Sequence, residues 1–251
     1  MPSTTTPVAM SSLEPGPEPI EEEPYVLRRP GVAPVEDVDE DAPDEGVLTG
    51  ATEVRHPHLH LHRGPENEID LDRAAGAVAD LLDALGVDRS ADGLEETPAR
   101  VAKALAEMLS PEPFNVTTFA NEEGYDELVV ARAIPFASLC EHHLLPFSGL
   151  AYVGYLPEER LVGLSKLARV VDHFSRRLQV QERLTAQVAN YLQETLRPKG
   201  VGVVLEAEHL CMSLRGARSG GSRTVTSALK GLVRDDPRTR SEFLSLAGTR
   251  G

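Results

Sequence analysis

The first periodic pattern of hydrophobic residues along the chain begins near Ile69 and has the period of a helix. Between Ile69 and Leu85 the segment IDLDRAAGAVADLLDALGVD carries an apolar stripe, and Gly86 follows it, where glycine commonly ends a helix. The segment TPARVAKALAEMLSP shows the same period between two prolines. Together these segments predict a helical hairpin over residues 67–111.

The period changes to that of strands beyond residue 125. Four runs are rich in β-branched and aromatic residues: DELVVARAIPFASL, FSGLAYVGYLP, VGVVLEAEHLCMSLRG and SRTVTSALKGLV. Two helical segments lie between the second and third runs: GLSKLARVVDHFSRRL, whose inward stripe begins at Leu164, and QERLTAQVANYLQETLRPKG. This order predicts an α+β fold with an antiparallel sheet and a core over residues 125–235.

Residues 1–66 have a different composition from the rest. They hold 11 of the 19 prolines and carry 14 acidic against 4 basic residues. Such a segment buries too little apolar surface to offset its ordering entropy, which predicts a disordered, acidic, proline-rich tail. Its HPHLHLHR stretch is interpreted as a histidine-rich linker, with loose metal binding as the alternative. Residues 67–251 would then form the functional domain.

Charge and cysteine content narrow the class of protein. The chain has a net charge of −15, yet residues 160–251 carry 16 basic and 8 acidic residues. This favours a small anionic ligand over nucleic acid, which needs a broad basic face. No run approaches the roughly 20 apolar residues of a membrane span, and the N-terminus lacks a signal-peptide pattern. With two cysteines, too few for a disulfide framework, we expect a cytoplasmic protein with reduced thiols and no nucleic-acid or membrane partner.

Both cysteines lie in segments rich in potential metal ligands. Cys140 and His143 form a C-x-x-H spacing in SLCEHHLLPF, and Cys211 lies in EAEHLCMSLRG. Strand alternation would place His209, Cys211 and Arg215 on one face, together with Ser213. Two thiolates and an imidazole suit zinc and leave its fourth position open for water. The spacing alone does not exclude two alternatives: that the cysteines are simply buried thiols, or, with less support, that they form a disulfide.

A second group of residues suits an anion. Ser165, Lys166 and Arg169 lie at the start of a predicted helix, where Lys166 and Arg169 share a face and could bind phosphates. Arg215 would add a cation near the metal. Glu182 could accept hydrogen bonds from a guanine edge. A solvated basic face and a surface glutamate are the alternatives.

Four segments together resemble the zinc-dependent, type I GTP cyclohydrolase I family: SLCEHHLLPFSG, GLSKLARVVDHFSRRLQVQERLT, EAEHLCMSLRG and SRTVTSALKG. The resemblance runs from about Glu68 to Leu246 and includes TPARVA. It implies a T-fold, in which an antiparallel four-stranded sheet carries two helices on one face, here preceded by a helical hairpin. It also implies a homodecamer with active sites between subunits.

The resemblance further implies a reaction. GTP would be hydrolysed at guanine C8 with formate release and rearrangement to 7,8-dihydroneopterin triphosphate, the first step of pterin and tetrahydrofolate biosynthesis. Alternatives are the same reaction feeding a 7-deazapurine or other pterin pathway, a non-catalytic nucleotide-binding relative, and a nitrile-reducing T-fold enzyme. The implied roles are zinc binding by Cys140, His143 and Cys211; proton transfer by His142 and His209; guanine binding by Glu182 with Gln181; ribose binding by Ser165; and triphosphate binding by Lys166, Arg169 and Arg215, with Arg100 from a neighbouring subunit.

Overall fold

The computed structural model describes residues 69–114 and 116–248, and the predicted tail and histidine-rich linker lie outside them. The first two elements are helices α1 (Leu71–Ala84) and α2 (Thr97–Met108), which contact each other. The side chain of Asp70 caps α1, and Gly86 follows its end with a left-handed φ of 76°. The predicted pair of helices is therefore present. Within the described residues, no helix is long and apolar enough to cross a membrane.

Four antiparallel strands form the main sheet, as the sequence predicts. They are β2 (Val129–Cys140), β3 (Pro146–Leu156), β6 (Gly200–His209) and β7 (Thr224–Lys230), in the order β2-β3-β6-β7. A two-residue strand, β5 (Leu178–Gln179), adds a fifth, parallel edge beside β2 that was not predicted. Strands β1 (Thr118–Ala120) and β4 (Arg160–Val162) pair in a separate small sheet.

Helices α3 (Leu164–Ser175) and α4 (Gln181–Leu196) pack on the sheet and bury its main core. From α3, Leu167, Val170 and Phe174 are buried, as their helical spacing predicts. Leu164 was predicted to point inward as well, but it is 67% exposed. It is the first residue of α3, one turn before the buried stripe begins, so the sheet does not reach it.

Three C-terminal helices were not predicted. They are α5 (Leu210–Ser213), α6 (Gly231–Asp235) and α7 (Pro237–Ala247), and α7 lies beyond the predicted end of the core at residue 235. Phe243 of α7 packs over Gly154 and Gly202, which are register partners in the sheet. A Cβ atom on Gly154 would lie 2.9 Å from the Phe243 ring. Because the two glycines have no side chains, the Phe243 ring fits against the strands, and α7 packs on the second face of the sheet.

Candidate metal centre and active site

A tight turn between β2 and β3 presents the first candidate ligands. The Cys140 N–H donates to the Leu145 carbonyl (2.9 Å), and the Leu144 N–H donates to the Cys140 carbonyl (2.9 Å). Leu144 takes a left-handed φ of 55°, a conformation that a non-glycine residue adopts at a cost. The turn brings the Cys140 Sγ to 3.7 Å from His143 Nδ1. The C-x-x-H spacing thus places both ligand atoms together.

Cys211 reaches the same place from a helical turn, which corrects a prediction. We expected strand alternation to carry His209, Cys211, Ser213 and Arg215 on one face, but β6 ends at His209 and Cys211 lies in α5. Pairing with β7 stops at Ala207, and pairing with β3 stops at His209. Without a partner strand, the backbone satisfies its hydrogen bonds locally by turning into a helix.

The three predicted ligands form one cluster. The Sγ atoms of Cys140 and Cys211 and a ring nitrogen of His143 lie within 4.8 Å of one another. Two sulfurs and one imidazole are a donor set that suits zinc and leaves a fourth position open. Burial raises the pKa of the Cys211 thiol, and the adjacent Cys140 thiol adds to this, while Arg215 partly opposes it. A bound cation would reverse this effect by favouring the thiolates, so the donor set fits a divalent metal.

An ion pair links the turn that carries Cys140 and His143 to the connection between α3 and α4. Glu141 pairs with Arg183, whose Nε also donates to the Gln179 Oε1 (2.9 Å). His142 remains exposed, with Nδ1 3.9 Å from the Cys140 Sγ and Nε2 3.9 Å from Glu141. Arg183 did not appear among the predicted site residues, because no local spacing links it to a residue 42 positions earlier.

His209 is held at the end of β6 by two contacts. Its ring stacks on Phe147, with centroids 4.6 Å apart and planes 2° apart, and its Nε2 lies 2.7 Å from the Gln181 Oε1. Burial lowers the pKa of His209, and the Glu182 carboxylate partly opposes this shift. The imidazole is therefore favoured in its neutral form, and Glu182 lies close enough to interact with it.

The position of Gln181 does not fit the role predicted for its side chain. The residue is 1% exposed, and its Nε2 donates to the Leu205 carbonyl, the Thr224 carbonyl and the Thr226 hydroxyl. Its Oε1 is engaged by His209. Both ends of the amide are used inside the chain, so the side chain is not available to a guanine edge as predicted.

The remaining predicted residues lie at the starts of helices. Glu182 is exposed in the first turn of α4. On α3, Ser165 and Arg169 are exposed and Lys166 is half-buried, at the end where the Tyr155 hydroxyl accepts a hydrogen bond from the Val162 N–H (3.0 Å) just before the helix. That contact anchors the start of α3.

Arg100 lies on α2, in the helical hairpin. Its guanidinium donates to the Glu96 carboxylate (2.9 Å) and to the Gly93 carbonyl (2.6 Å). Arg100 is exposed, and both of these partners belong to the segment that leads into α2. The structure thus brings the three candidate ligands together and holds His142 beside one of them, while His209 ends β6 just before α5 and Arg100 belongs to a separate element.

Comparison with known proteins identifies the family to which this arrangement belongs. The family model of GTP cyclohydrolase I matches residues 74–248, which include the turn that carries Cys140 and His143, as well as α3, α4 and α5. The chain belongs to the GTP cyclohydrolase I family. The sheet with two helices on one face is accordingly the predicted T-fold, and the chain is a member of an enzyme family.

Several curated proteins named GTP cyclohydrolase 1 are about 50% identical to this chain, which supports this membership. The GTP cyclohydrolase 1 of Rhodopirellula baltica is 49% identical over 195 residues, covering 76% of this chain and 85% of the relative. That of Thermobifida fusca is 53% identical over 183 residues, covering 71% and 88%. That of Aquifex aeolicus is 50% identical over 178 residues, covering 71% and 97%. The similarity therefore extends over most of each relative.

Proposed function

We propose that this chain catalyses the zinc-dependent hydrolysis of GTP at guanine C8, with release of formate and rearrangement to 7,8-dihydroneopterin triphosphate. The observation that carries the proposal is the cluster of Cys140, His143 and Cys211, whose ligand atoms lie within 4.8 Å of one another. The chain's membership of the GTP cyclohydrolase I family supplies the substrate and the reaction. The product would enter pterin and tetrahydrofolate biosynthesis.

Zinc is the metal that we propose for the cluster. Cys140, His143 and Cys211 would hold it, since thiolate and imidazole are its preferred ligands. When bound, zinc supplies a Lewis acid that lowers the pKa of water to about 7. The two cysteines are free thiols, which agrees with a reducing compartment, and we propose the cytoplasm.

His209 and His142 are the groups that we propose for proton transfer. Each C–N bond broken at C8 leaves charge on a nitrogen, which a proton neutralises. Because burial lowers the pKa of His209, its neutral imidazole can accept a proton from the attacking water and pass it on. His142 is exposed beside the Cys140 Sγ, so it can exchange protons with solvent close to the cluster.

Five further residues would bind the substrate. Glu182, exposed at the start of α4, offers a carboxylate to the two N–H groups of the guanine edge. Lys166, Arg169 and Arg215 would bind the triphosphate, and Ser165 would bind the ribose. The excess of basic residues over 160–251 supports this, because a triphosphate carries about four negative charges.

We further propose that the chain assembles into a homodecamer with active sites between subunits. Helix α1 has an apolar stripe, yet none of its residues is buried in the single chain. Several large apolar side chains are exposed elsewhere, among them Leu164 and Leu214. Arg100 would reach the triphosphate of a neighbouring subunit. The partners are thus GTP and further copies of this chain.

A single assay tests the reaction and the metal together. Purified protein is given GTP, and formate release and the fluorescence of the oxidised pterin product are followed with and without a chelator. We expect both signals, abolished by chelation and restored by zinc. If protein shown to contain zinc gave neither formate nor pterin fluorescence, the proposal would be contradicted. That result would favour a non-catalytic nucleotide-binding protein.

A further inference from the structure

We infer that Gln181 is a positioning residue, which fixes the orientation and the tautomer of the His209 imidazole. The inference rests on the proposed function, in which His209 transfers protons. It assigns Gln181 a task different from guanine binding, and it follows from the hydrogen bonds that surround one buried amide.

The orientation of the Gln181 amide is determined by its surroundings. Two of the three acceptors around its Nε2 are the backbone carbonyls of Leu205 (3.1 Å) and Thr224 (3.0 Å), which can only accept hydrogen bonds. A flipped amide would place its own oxygen against both carbonyls in a site that is 1% exposed to solvent. The Nε2 must therefore face them, and the Oε1 must face His209.

The amide orientation decides where His209 carries its proton. The Gln181 Oε1 is only an acceptor, so the His209 Nε2, 2.7 Å away, has to be the donor. In the neutral imidazole only one nitrogen carries a hydrogen, which leaves Nδ1 without one. The geometry therefore assigns the hydrogen to Nε2 and the lone pair to Nδ1.

A second contact removes the remaining freedom of the ring. Phe147 stacks on the imidazole with an interplanar angle of 2°, which fixes the plane of the ring, while the hydrogen bond to Gln181 fixes its rotation within that plane. Thr226 bonds to both Gln181 (3.1 Å) and Thr185 (2.6 Å), so the amide is itself anchored between α4 and β7. The ring is thus preoriented before substrate binds.

The test compares two glutamines on the same helix. Gln181→Met keeps the length of the side chain and removes the acceptor, and Gln193→Met makes the same change about 18 Å along α4, where the amide donates to the Pro198 carbonyl. We expect kcat to fall about 10- to 100-fold in Gln181→Met, with the KM for GTP and the zinc content unchanged. Gln193→Met should retain the wild-type kcat. An increase in KM at unchanged kcat would instead restore the guanine-binding role and overturn the inference.

A double variant separates positioning from general damage to the fold. In a His209→Ala background there is no ring to orient, so adding Gln181→Met should lower kcat no further. An equal additional loss in that background would overturn the inference. The rates of the wild type and of His209→Ala also distinguish failure of the proposed reaction from failure of this inference. Formate release by the wild type tests the reaction. Full activity of His209→Ala would refute the proton-transfer role of the imidazole and leave the reaction itself intact.

The tautomer can be measured without any change at Gln181. Solid-state ¹⁵N spectra of the intact, histidine-labelled protein distinguish protonated from unprotonated ring nitrogens, and subtraction of the His209→Ala spectrum assigns the signals. We expect a protonated Nε2 and an unprotonated Nδ1 for His209. The opposite tautomer would overturn the inference even if Gln181→Met failed to fold.

Discussion

The imidazole of His209 lies flat on the phenyl ring of Phe147, with ring centroids 4.6 Å apart. The two residues are register partners at the last pair between β3 and β6. Phe147 is fully buried, whereas His209 is half-buried at the strand end. The core of the sheet thus ends directly beneath a residue that we propose transfers protons.

Replacing Phe147 by leucine should slow the reaction. The variant keeps an apolar side chain but loses the stacking surface, which is worth about 0.5–1.5 kcal/mol and corresponds to a fall in kcat of up to about tenfold. The measurement is kcat at saturating GTP. The matched control is Phe243→Leu, at an equally buried phenylalanine of α7, which should destabilise the fold and leave kcat near wild type. Equal losses in both variants would contradict a specific role for the stack.

Metal affinity should rise steeply with pH. Burial and the adjacent Cys140 raise the pKa of the Cys211 thiol, so protons compete with the metal up to a higher pH than at an ordinary cysteine. Competition with a chelating dye should therefore show weaker zinc binding as the pH falls from 8 to 6. Cys211→Ser should lose both zinc and turnover, and unchanged zinc content in that variant would refute the three-ligand assignment.

Removal of residues 1–66 should leave the catalytic rate within about twofold of the full chain. The family match begins at residue 74, and the described elements begin at Leu71, so the deleted segment precedes both. Steady-state kinetics of the two forms at the same zinc content provide the measurement. A large fall in kcat would show that the segment acts on the active site.

His173 should make stability depend on pH. Its Nε2 accepts a hydrogen bond from Arg177 (2.8 Å), and its ring packs edge-on against Phe114. Burial lowers the pKa of His173, and the Arg177 charge lowers it further. The folded protein thus favours the neutral ring, and this contribution is present above the unfolded pKa of about 6.5 and is lost as pH falls through the lower folded value.

Urea unfolding at pH 7 and pH 5 measures this effect. We expect the urea concentration at the unfolding midpoint to be lower at pH 5 than at pH 7. The decrease should be smaller in His173→Gln, which keeps a hydrogen-bond acceptor but has no ring to protonate. The difference should be modest, because His173 is only half-buried and solvent screens part of the interaction. An identical fall in the variant would show that other groups govern the acid sensitivity.

Local patterns in the sequence predict much of the fold and bring out the candidate metal ligands. The helical period of α3, the β-branched runs of β2 and β3, and the glycine after α1 each act within a few residues, so they can be read from the chain. The C-x-x-H spacing of Cys140 and His143 likewise depends on a single turn. The three predicted ligands meet as expected, although Cys211 arrives on α5 rather than on a strand.

Contacts between distant segments decided what the sequence could not. Strand β6 ends at His209 because the pairing with its two partner strands stops there or before. The packing of Phe243 depends on two glycines that are paired across neighbouring strands. Gln181 looks from its sequence neighbours like a binding residue beside Glu182. Its role is set by acceptors on β6 and β7, 24 to 45 residues away, because a buried amide must bond to whatever polar groups the fold places around it.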